Sequence, residues 1–123
     1  MTPQLSLTHF AAWRDNAQAH APHAPAALPV VLDVREPWEV QTASVKPDGF
    51  TLLHIPMRDI PARIAELQQS PGPQHAIACL CHHGMRSLQV ANFLQQSGFT
   101  EVVNLQGGID AWSQLLDPSV AQY

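Results

Sequence analysis

The feature that most constrains the fold is a short apolar run that leads, through a loop containing a cysteine, into a segment with helical periodicity. The apolar run covers residues 76–80, the loop begins at Cys81, and the helical pattern extends over residues 88–94. A strand that passes through a short loop into a helix is typical of sheets whose strands run parallel. The loop N–H groups and the positive end of the helix dipole stabilise an anion. We therefore expect an α/β fold with a reactive sulfur at this turn.

Apolar runs and helical patterns also alternate along the rest of the chain. Further strands are predicted at residues 30–33, 51–55 and 101–105, and helices near residues 7–13, 37–42, 59–67, 87–96 and 109–116. Ser6 or Thr8 is the predicted N-cap of the first helix, and the proline-rich residues 20–29 are predicted to form a connecting loop. Sites in parallel sheets gather at the carboxyl ends of the strands, where Asp33 and Cys81 both fall.

Composition excludes several classes of function. The chain has 123 residues, enough for one domain, and its net charge is −4 with only 6 Lys and Arg in scattered positions. Nucleic-acid binding needs a basic surface, so we expect no nucleic-acid partner. No apolar run approaches the ~20 residues that span a bilayer, and the first residues lack the pattern of a signal peptide. A cytoplasmic protein without a membrane partner is expected.

The two cysteines, Cys79 and Cys81, are separated by one residue. A disulfide between them would have poor geometry, and both should stay reduced in the cytosol. Reactivity, metal binding and inert burial remain open for these thiols. Cys79 lies inside the predicted strand, where an inert thiol is expected, whereas Cys81 stands at the strand end.

Two alternative functions follow from the loop itself. Cysteine phosphatases and arsenate reductases use a related anion-binding loop in which five residues separate the cysteine from an arginine. Here four residues separate Cys81 from Arg86, which favours a smaller site for a single sulfur. A metal-binding module could use Cys79, Cys81, His82 and His83, but ligands this close in sequence do not easily surround a tetrahedral ion.

Four motifs occur along the chain in a fixed order. They are Leu32-Asp33-Val34-Arg35-Glu36, His54-Ile55-Pro56, Cys81-His82-His83-Gly84-Met85-Arg86-Ser87 and, after Gly98-Phe99, Val103-Asn104-Leu105-Gln106-Gly107-Gly108-Ile109-Asp110-Ala111-Trp112. This set resembles a single rhodanese-like domain, the sulfurtransferase module. The resemblance implies one α/β domain over residues 1–123, with a core at about 5–116 and a mostly parallel sheet flanked by helices on both faces. The tail, residues 117–123, resembles the rhodanese module fused to adenylating enzymes that sulfurate small carrier proteins, whereas residues 42–50 depart from the family pattern.

The resemblance also implies a mechanism. Cys81 is the expected nucleophile: it takes a sulfur from a small anionic donor such as thiosulfate or 3-mercaptopyruvate, and the resulting persulfide passes to cyanide, a thiol or a protein acceptor. No metal or organic cofactor is expected. The expected persulfide cradle consists of His82, His83, Gly84, Met85 and Ser87.

Other residues of the site are assigned roles as well. Arg86 is expected to be catalytic together with Cys81, by orienting the loop and attracting anionic donors, whereas the resemblance implies that Asp33 and Arg35 are supporting residues that hold the architecture beside it. Two roles remain open for His82 and His83. Either their rings steer donors, or the rings are exposed and the backbone N–H groups of these residues matter more for the site than the rings do. Three aromatic residues, Trp38, Phe99 and Trp112, are predicted to be core. An alternative function remains, a sulfur carrier or regulatory module that serves one protein partner.

Overall fold

The structure, a computed structural model, describes residues 2–19 and 28–123, and these residues form one sheet of five parallel strands. The strands are β1 (Gln4–Ser6), β2 (Val30–Asp33), β3 (Thr51–His54), β4 (Ile77–Leu80) and β5 (Val102–Gln106). Their order is β1-β5-β4-β2-β3, so β4 is central. Every residue of β2 and β4 is buried, as in parallel strands that are covered on both faces. The predicted parallel α/β fold is confirmed.

Helices cover both faces of this sheet, as expected. They are α1 (Phe10–Ala19), α2 (Pro37–Thr42), α3 (Ile64–Gln69), α4 (Met85–Gln96) and α5 (Gly108–Leu115). One apolar core joins the sheet to α3 and α4, through Leu67, Val90 and Leu94. A second core joins the opposite face to α1 and α5, through Phe10, Ile109 and Trp112. Phe99 and Trp112 are buried in these cores, as predicted.

Some element boundaries differ from the predicted ones. Strand β1 was not predicted, because three residues are too few to show an alternating pattern; it pairs with β5. The predicted first helix begins as a short 3-10 helix, Leu7–His9, which Ser6 caps. Residues predicted as one helix over 59–67 include the 3-10 helix Pro61–Arg63 before α3. The loop predicted at residues 20–29 lies outside the described residues, apart from Leu28 and Pro29.

Helix α2 begins with Pro37, as predicted, and with a capping box that fixes one acidic side chain. The Glu36 N–H donates to Glu39 Oε1 at 3.1 Å, so Glu39 is held against the first turn. This orientation turns Glu39 toward the carboxyl edge of the sheet, where the cysteine loop lies. Among the described residues, no helix has both the length and the apolar character to cross a membrane.

Candidate active site

The ends of β2 and β4 bring Asp33 and Cys81 to one edge of the sheet. Asp33 is paired in register with Leu80, the residue before Cys81. The Val34 N–H donates to the Leu80 carbonyl at 2.9 Å, which keeps the two loops side by side. The residues singled out from the sequence therefore lie in adjacent loops at the edge where parallel sheets place their ligand sites.

The Cys81 sulfur accepts two hydrogen bonds from the start of α4. The Gly84 N–H donates to Sγ at 3.1 Å, and the Ser87 hydroxyl donates to it at 3.3 Å. Cys81 is only 1% exposed and Ser87 is completely buried. Both donors lie at the N-terminus of a helix, where N–H groups and the helix dipole attract anions. Of the predicted cradle, Gly84 and Ser87 contact the sulfur, whereas the Met85 side chain is 70% exposed.

The turn at Gly84 depends on a buried amide from the neighbouring strand. Gly84 has φ 99°, a conformation that residues with a Cβ rarely adopt, and it forms the N-cap of α4. The Asn104 side chain of β5 donates to the Gly84 carbonyl at 3.0 Å and is itself 1% exposed. Sequence reasoning assigned Asn104 no role of its own, although an amide within a buried apolar strand is a signal that its partner lies in the interior.

The N-terminus of α5 holds the other side of the cysteine loop. The Ile109 N–H donates to the Cys81 carbonyl at 2.8 Å, and the Asp110 N–H donates to the His82 carbonyl at 3.2 Å. A Cβ at Gly108 would lie 2.4 Å from the Cys81 carbonyl oxygen. Gly108 is therefore required for this close approach between the loop and the helix.

Arg86 forms a two-pronged ion pair with Glu39 of α2. Its two terminal nitrogens donate to Glu39 Oε1 at 2.7 Å and to Oε2 at 2.9 Å. The Glu39 side chain is 4% exposed and that of Arg86 is 36% exposed. Hydrogen bonds from Arg86 are the largest cause that lowers the pKa of Glu39 from its ordinary 4.5 to about 2; bonds from Tyr123 and the Glu36 N–H add to this and burial opposes it. The same pairing raises the pKa of Arg86.

Arg35 and Asp33 form a buried ion pair below the loop. Arg35 Nη2 lies 2.6 Å from Asp33 Oδ2, and the two side chains are 0% and 1% exposed. Arg35 also donates to the carbonyls of Glu39, at 3.2 Å, and Ala43, at 2.8 Å. Burial alone would lower the pKa of Arg35, but hydrogen bonds to Asp33 and Tyr123 raise it. The guanidinium thus connects the end of β2 to the middle of α2 and to the residue that follows it, in a position suited to the expected supporting role.

Aromatic rings pack beside the cysteine loop. The His82 ring stacks on the Tyr123 ring at 3.9 Å with 8° between planes, and on the His83 ring at 3.9 Å with 23°. The prediction that Trp38 is core is wrong. Its side chain is 62% exposed and contacts the edge of Tyr123 with ring centres 6.1 Å apart, because the outer surface of the short helix α2 carries it.

One group of side chains has metal-ligating chemistry. Within the described part of the chain, His82, His83 and Asp110 each offer a ligand atom, and these atoms lie within 4.8 Å of one another. Lone pairs of an imidazole lie in the ring plane, so two stacked rings direct theirs roughly parallel rather than toward one ion. The present arrangement of His82 and His83 does not fit a shared metal ion, and the group contains neither Cys79 nor Cys81.

Cys79 differs sharply from Cys81 in its surroundings. It lies in β4, opposite Leu32 and Asn104 of the neighbouring strands, and is completely buried. Burial is the largest cause that raises the pKa of its thiol from the ordinary 9.0 to about 12. The thiol therefore stays protonated at neutral pH, in agreement with the expectation that it is inert.

Comparisons with known proteins all point to the same family. The family profile described as "Rhodanese-like domain" matches residues 14–115. A protein called "Sulfurtransferase" from Allochromatium vinosum is 35% identical over 92 residues, which are 75% of this chain and 78% of that protein. An "Adenylyltransferase and sulfurtransferase MOCS3-1" from Zea mays is 32% identical over 94 residues; the match is 76% of this chain but spans only 20% of the maize protein.

Solved structures agree with this result. The crystal structure of a rhodanese-related protein from Thermoplasma volcanium superposes with a TM-score of 0.70 and 25% identity, covering 98% of this chain and 99% of that one. The family profile and the A. vinosum relative both cover most of the chain, and the fold described above agrees with the solved structure. The chain therefore belongs to the rhodanese-like domain family.

Proposed function

We propose that this chain is a cytosolic sulfurtransferase that carries a sulfane sulfur on Cys81. The observation that carries the proposal is the placement of Cys81 Sγ, which accepts from the Gly84 N–H at 3.1 Å and from the Ser87 hydroxyl at 3.3 Å at the start of α4. These donors suit a thiolate before the reaction and a persulfide anion after it. Family membership supports the same reaction class.

The proposed reaction has two covalent steps. The Cys81 thiolate attacks the outer sulfur of an anionic donor such as thiosulfate, a new S–S bond forms, and the donor S–S bond breaks as sulfite leaves with the electron pair. An acceptor thiolate or cyanide then attacks the outer sulfur of the persulfide. The Cys81–sulfur bond breaks and the thiolate is regenerated, so no separate oxidant, metal or organic cofactor is needed.

In this proposal, Arg86 mainly fixes the cysteine loop to Glu39 of α2. Both of its terminal nitrogens are engaged by Glu39, so a largely neutral pair, rather than a lone cation, faces an incoming anion. Attraction of the donor then depends on loop N–H groups and on the helix dipole of α4. His82 and His83 contribute backbone N–H groups to the loop, while their rings form its outer wall.

The test is intact-mass analysis after treatment with thiosulfate and then with cyanide. The wild-type chain should gain one sulfur atom and release it as thiocyanate. Cys81→Ser should gain none, and Cys79→Ser is the matched control that should still gain sulfur. If neither thiosulfate nor 3-mercaptopyruvate adds sulfur to the wild-type chain, the proposal of a free enzyme is refuted.

A second candidate is a carrier that delivers its sulfur to one protein partner. The 1% exposure of Cys81 is the observation behind it: free acceptors reach the sulfur only when the surrounding side chains move, and docking of a partner could move them. Slow release of sulfur to cyanide combined with fast transfer to a protein thiol would identify this role. Fast release to both acceptors would exclude it.

A further inference from the structure

Tyr123 connects the cysteine loop to α2. Its ring lies flat on the His82 ring of the cysteine loop, 3.9 Å away with 8° between the planes. On α2, the Trp38 ring packs edge-to-face with Tyr123, with ring centres 6.1 Å apart. A single side chain therefore lies between the loop that holds the sulfur and the helix that braces Arg86.

The hydroxyl of Tyr123 fixes the ring in this position. It donates to Glu39 Oε2 at 2.6 Å and accepts from Arg35 Nη1 at 3.1 Å. Burial is the largest cause that raises the pKa of Tyr123 to about 12, so the phenol stays protonated and remains a donor at neutral pH. The ring is thus held by its stacking on His82, by its contact with Trp38, by packing against the second core and by two hydrogen bonds to charged groups.

The segment that carries Tyr123 is attached to the body of the domain only at separate points. The Ser113 hydroxyl donates to the Val120 carbonyl at 2.6 Å, and Val120 is buried in the second core. Gln122 donates to Asp110 at 3.3 Å. Beyond Val120 these contacts come from side chains, so the ring can move away while Val120 stays in place.

We propose that Tyr123 is a size-selective gate beside Cys81: small shifts of the loop let small anions reach the sulfur, whereas the ring must swing away before a thiol on a peptide or protein reaches it. The 1% exposure of Cys81 and the ring that joins the cysteine loop to α2 carry this inference. The identity of the small donor and the larger acceptor rests on the proposed function, whereas the gate itself does not.

The experiment measures how fast Cys81 reacts with two reagents of the same chemistry but different size. Methyl methanethiosulfonate is the small reagent, and the same thiosulfonate carrying a nitroxide ring is the large one. In each case the Cys81 thiolate attacks the sulfenyl sulfur, a mixed disulfide forms and methanesulfinate leaves. A Cys79→Ala background restricts the reaction to Cys81, and intact mass follows its course.

Tyr123→Ala should accelerate the reaction of Cys81 with the large reagent on the order of tenfold, because the ring contacts and hydrogen bonds of Tyr123 no longer hold the cysteine loop against α2. The small reagent should change by less than about twofold. Tyr123→Phe keeps the ring and loses the hydroxyl, so the large reagent should accelerate only about threefold. Gln122→Ala, in the same segment, removes only an exposed hydrogen bond to Asp110 and leaves the contacts of Tyr123 in place, so it is the matched control and should change neither rate by more than about twofold.

Two results overturn the gate. Equal acceleration of both reagents in Tyr123→Ala would mean that the whole loop has loosened, and no acceleration of the large reagent would mean that the ring does not cover the sulfur. Circular dichroism verifies the fold of each variant; if Tyr123→Ala does not fold, Tyr123→Phe decides, and an unchanged rate with the large reagent overturns the gate. These reagents need no sulfurtransferase activity, so the gate and the proposed function can fail independently.

Discussion

Glu39→Gln tests how firmly the cysteine loop is braced against α2. The carboxylate accepts from Arg86, Tyr123 and the Glu36 N–H, and the Glu39 side chain is 4% exposed. Its lowered pKa, about 2 instead of 4.5, corresponds to about 3 kcal/mol of folding free energy at neutral pH, at about 1.36 kcal/mol for each tenfold change in proton affinity. Arg86 is 36% exposed, so solvent screens the pair and we expect a loss of about 2 kcal/mol in Glu39→Gln.

The pH dependence of this loss provides the sharper test. A carboxyl whose pKa is lower in the folded chain stabilises the fold above its unfolded pKa, and this stabilisation disappears as the pH falls toward the folded pKa. Urea unfolding should show that the free energy of unfolding of Glu39→Gln is about 2 kcal/mol below that of the wild-type chain at neutral pH. This difference should have its full size above about pH 5 and fall close to zero near pH 2.

The control for this experiment is Glu66→Gln. Its partner Arg63 lies at 3.1 Å, but both side chains are exposed, so a change below about 0.5 kcal/mol is expected. The reasoning is refuted if Glu39→Gln costs no more than Glu66→Gln, or if its cost is the same at every pH.

Three further predictions follow from the loop and its supports. Cys79→Ala should leave sulfur uptake from thiosulfate within about twofold of wild type, since burial raises the pKa of that thiol to about 12 and keeps it protonated. Ser87→Ala should slow persulfide formation by about fivefold in single-turnover kinetics, because Cys81 Sγ loses a donor at 3.3 Å, while the melting temperature changes little; an unchanged rate would contradict the assigned contact. Gly98→Ala and Gly108→Ala both place a Cβ at positive φ, but only Gly108 is crowded, by a carbonyl oxygen 2.4 Å away. Gly98→Ala should cost about 1 kcal/mol in urea unfolding and Gly108→Ala clearly more, and equal costs would show that the loop yields to the added methyl group.

The elements that could be predicted from the sequence are those with strong local patterns. Strands β2 and β4 are continuous apolar runs bounded by loops, which is the pattern of parallel strands covered on both faces. Strand β1 has three residues and takes its stability from pairing with β5, almost the whole chain away. Trp38 was misjudged because α2 has six residues, too few for helical periodicity to separate its buried and exposed sides.

The candidate site shows the same division between local and distant information. The cysteine loop is contiguous, so Cys81, Gly84 and Ser87 could be identified together. Glu39 lies 47 residues before its partner Arg86, and Tyr123 lies 84 residues after Glu39, so no local pattern links them. A lone acidic residue in an amphipathic helix is usually a solvated one, and only its burial beside an arginine shows otherwise.

The contact between α5 and the cysteine loop makes thiol reactivity a measure of folding order. The Ile109 N–H donates to the Cys81 carbonyl at 2.8 Å, and the Asp110 N–H donates to the His82 carbonyl at 3.2 Å. In a trans peptide the N–H points away from its carbonyl, so α5 turns the following N–H groups to the opposite side of the loop. The loop thus acquires its final shape only once β5 and α5, the last elements of the domain, have docked. During refolding, the reactivity of Cys81 should develop together with the docking of α5 rather than with early helix formation.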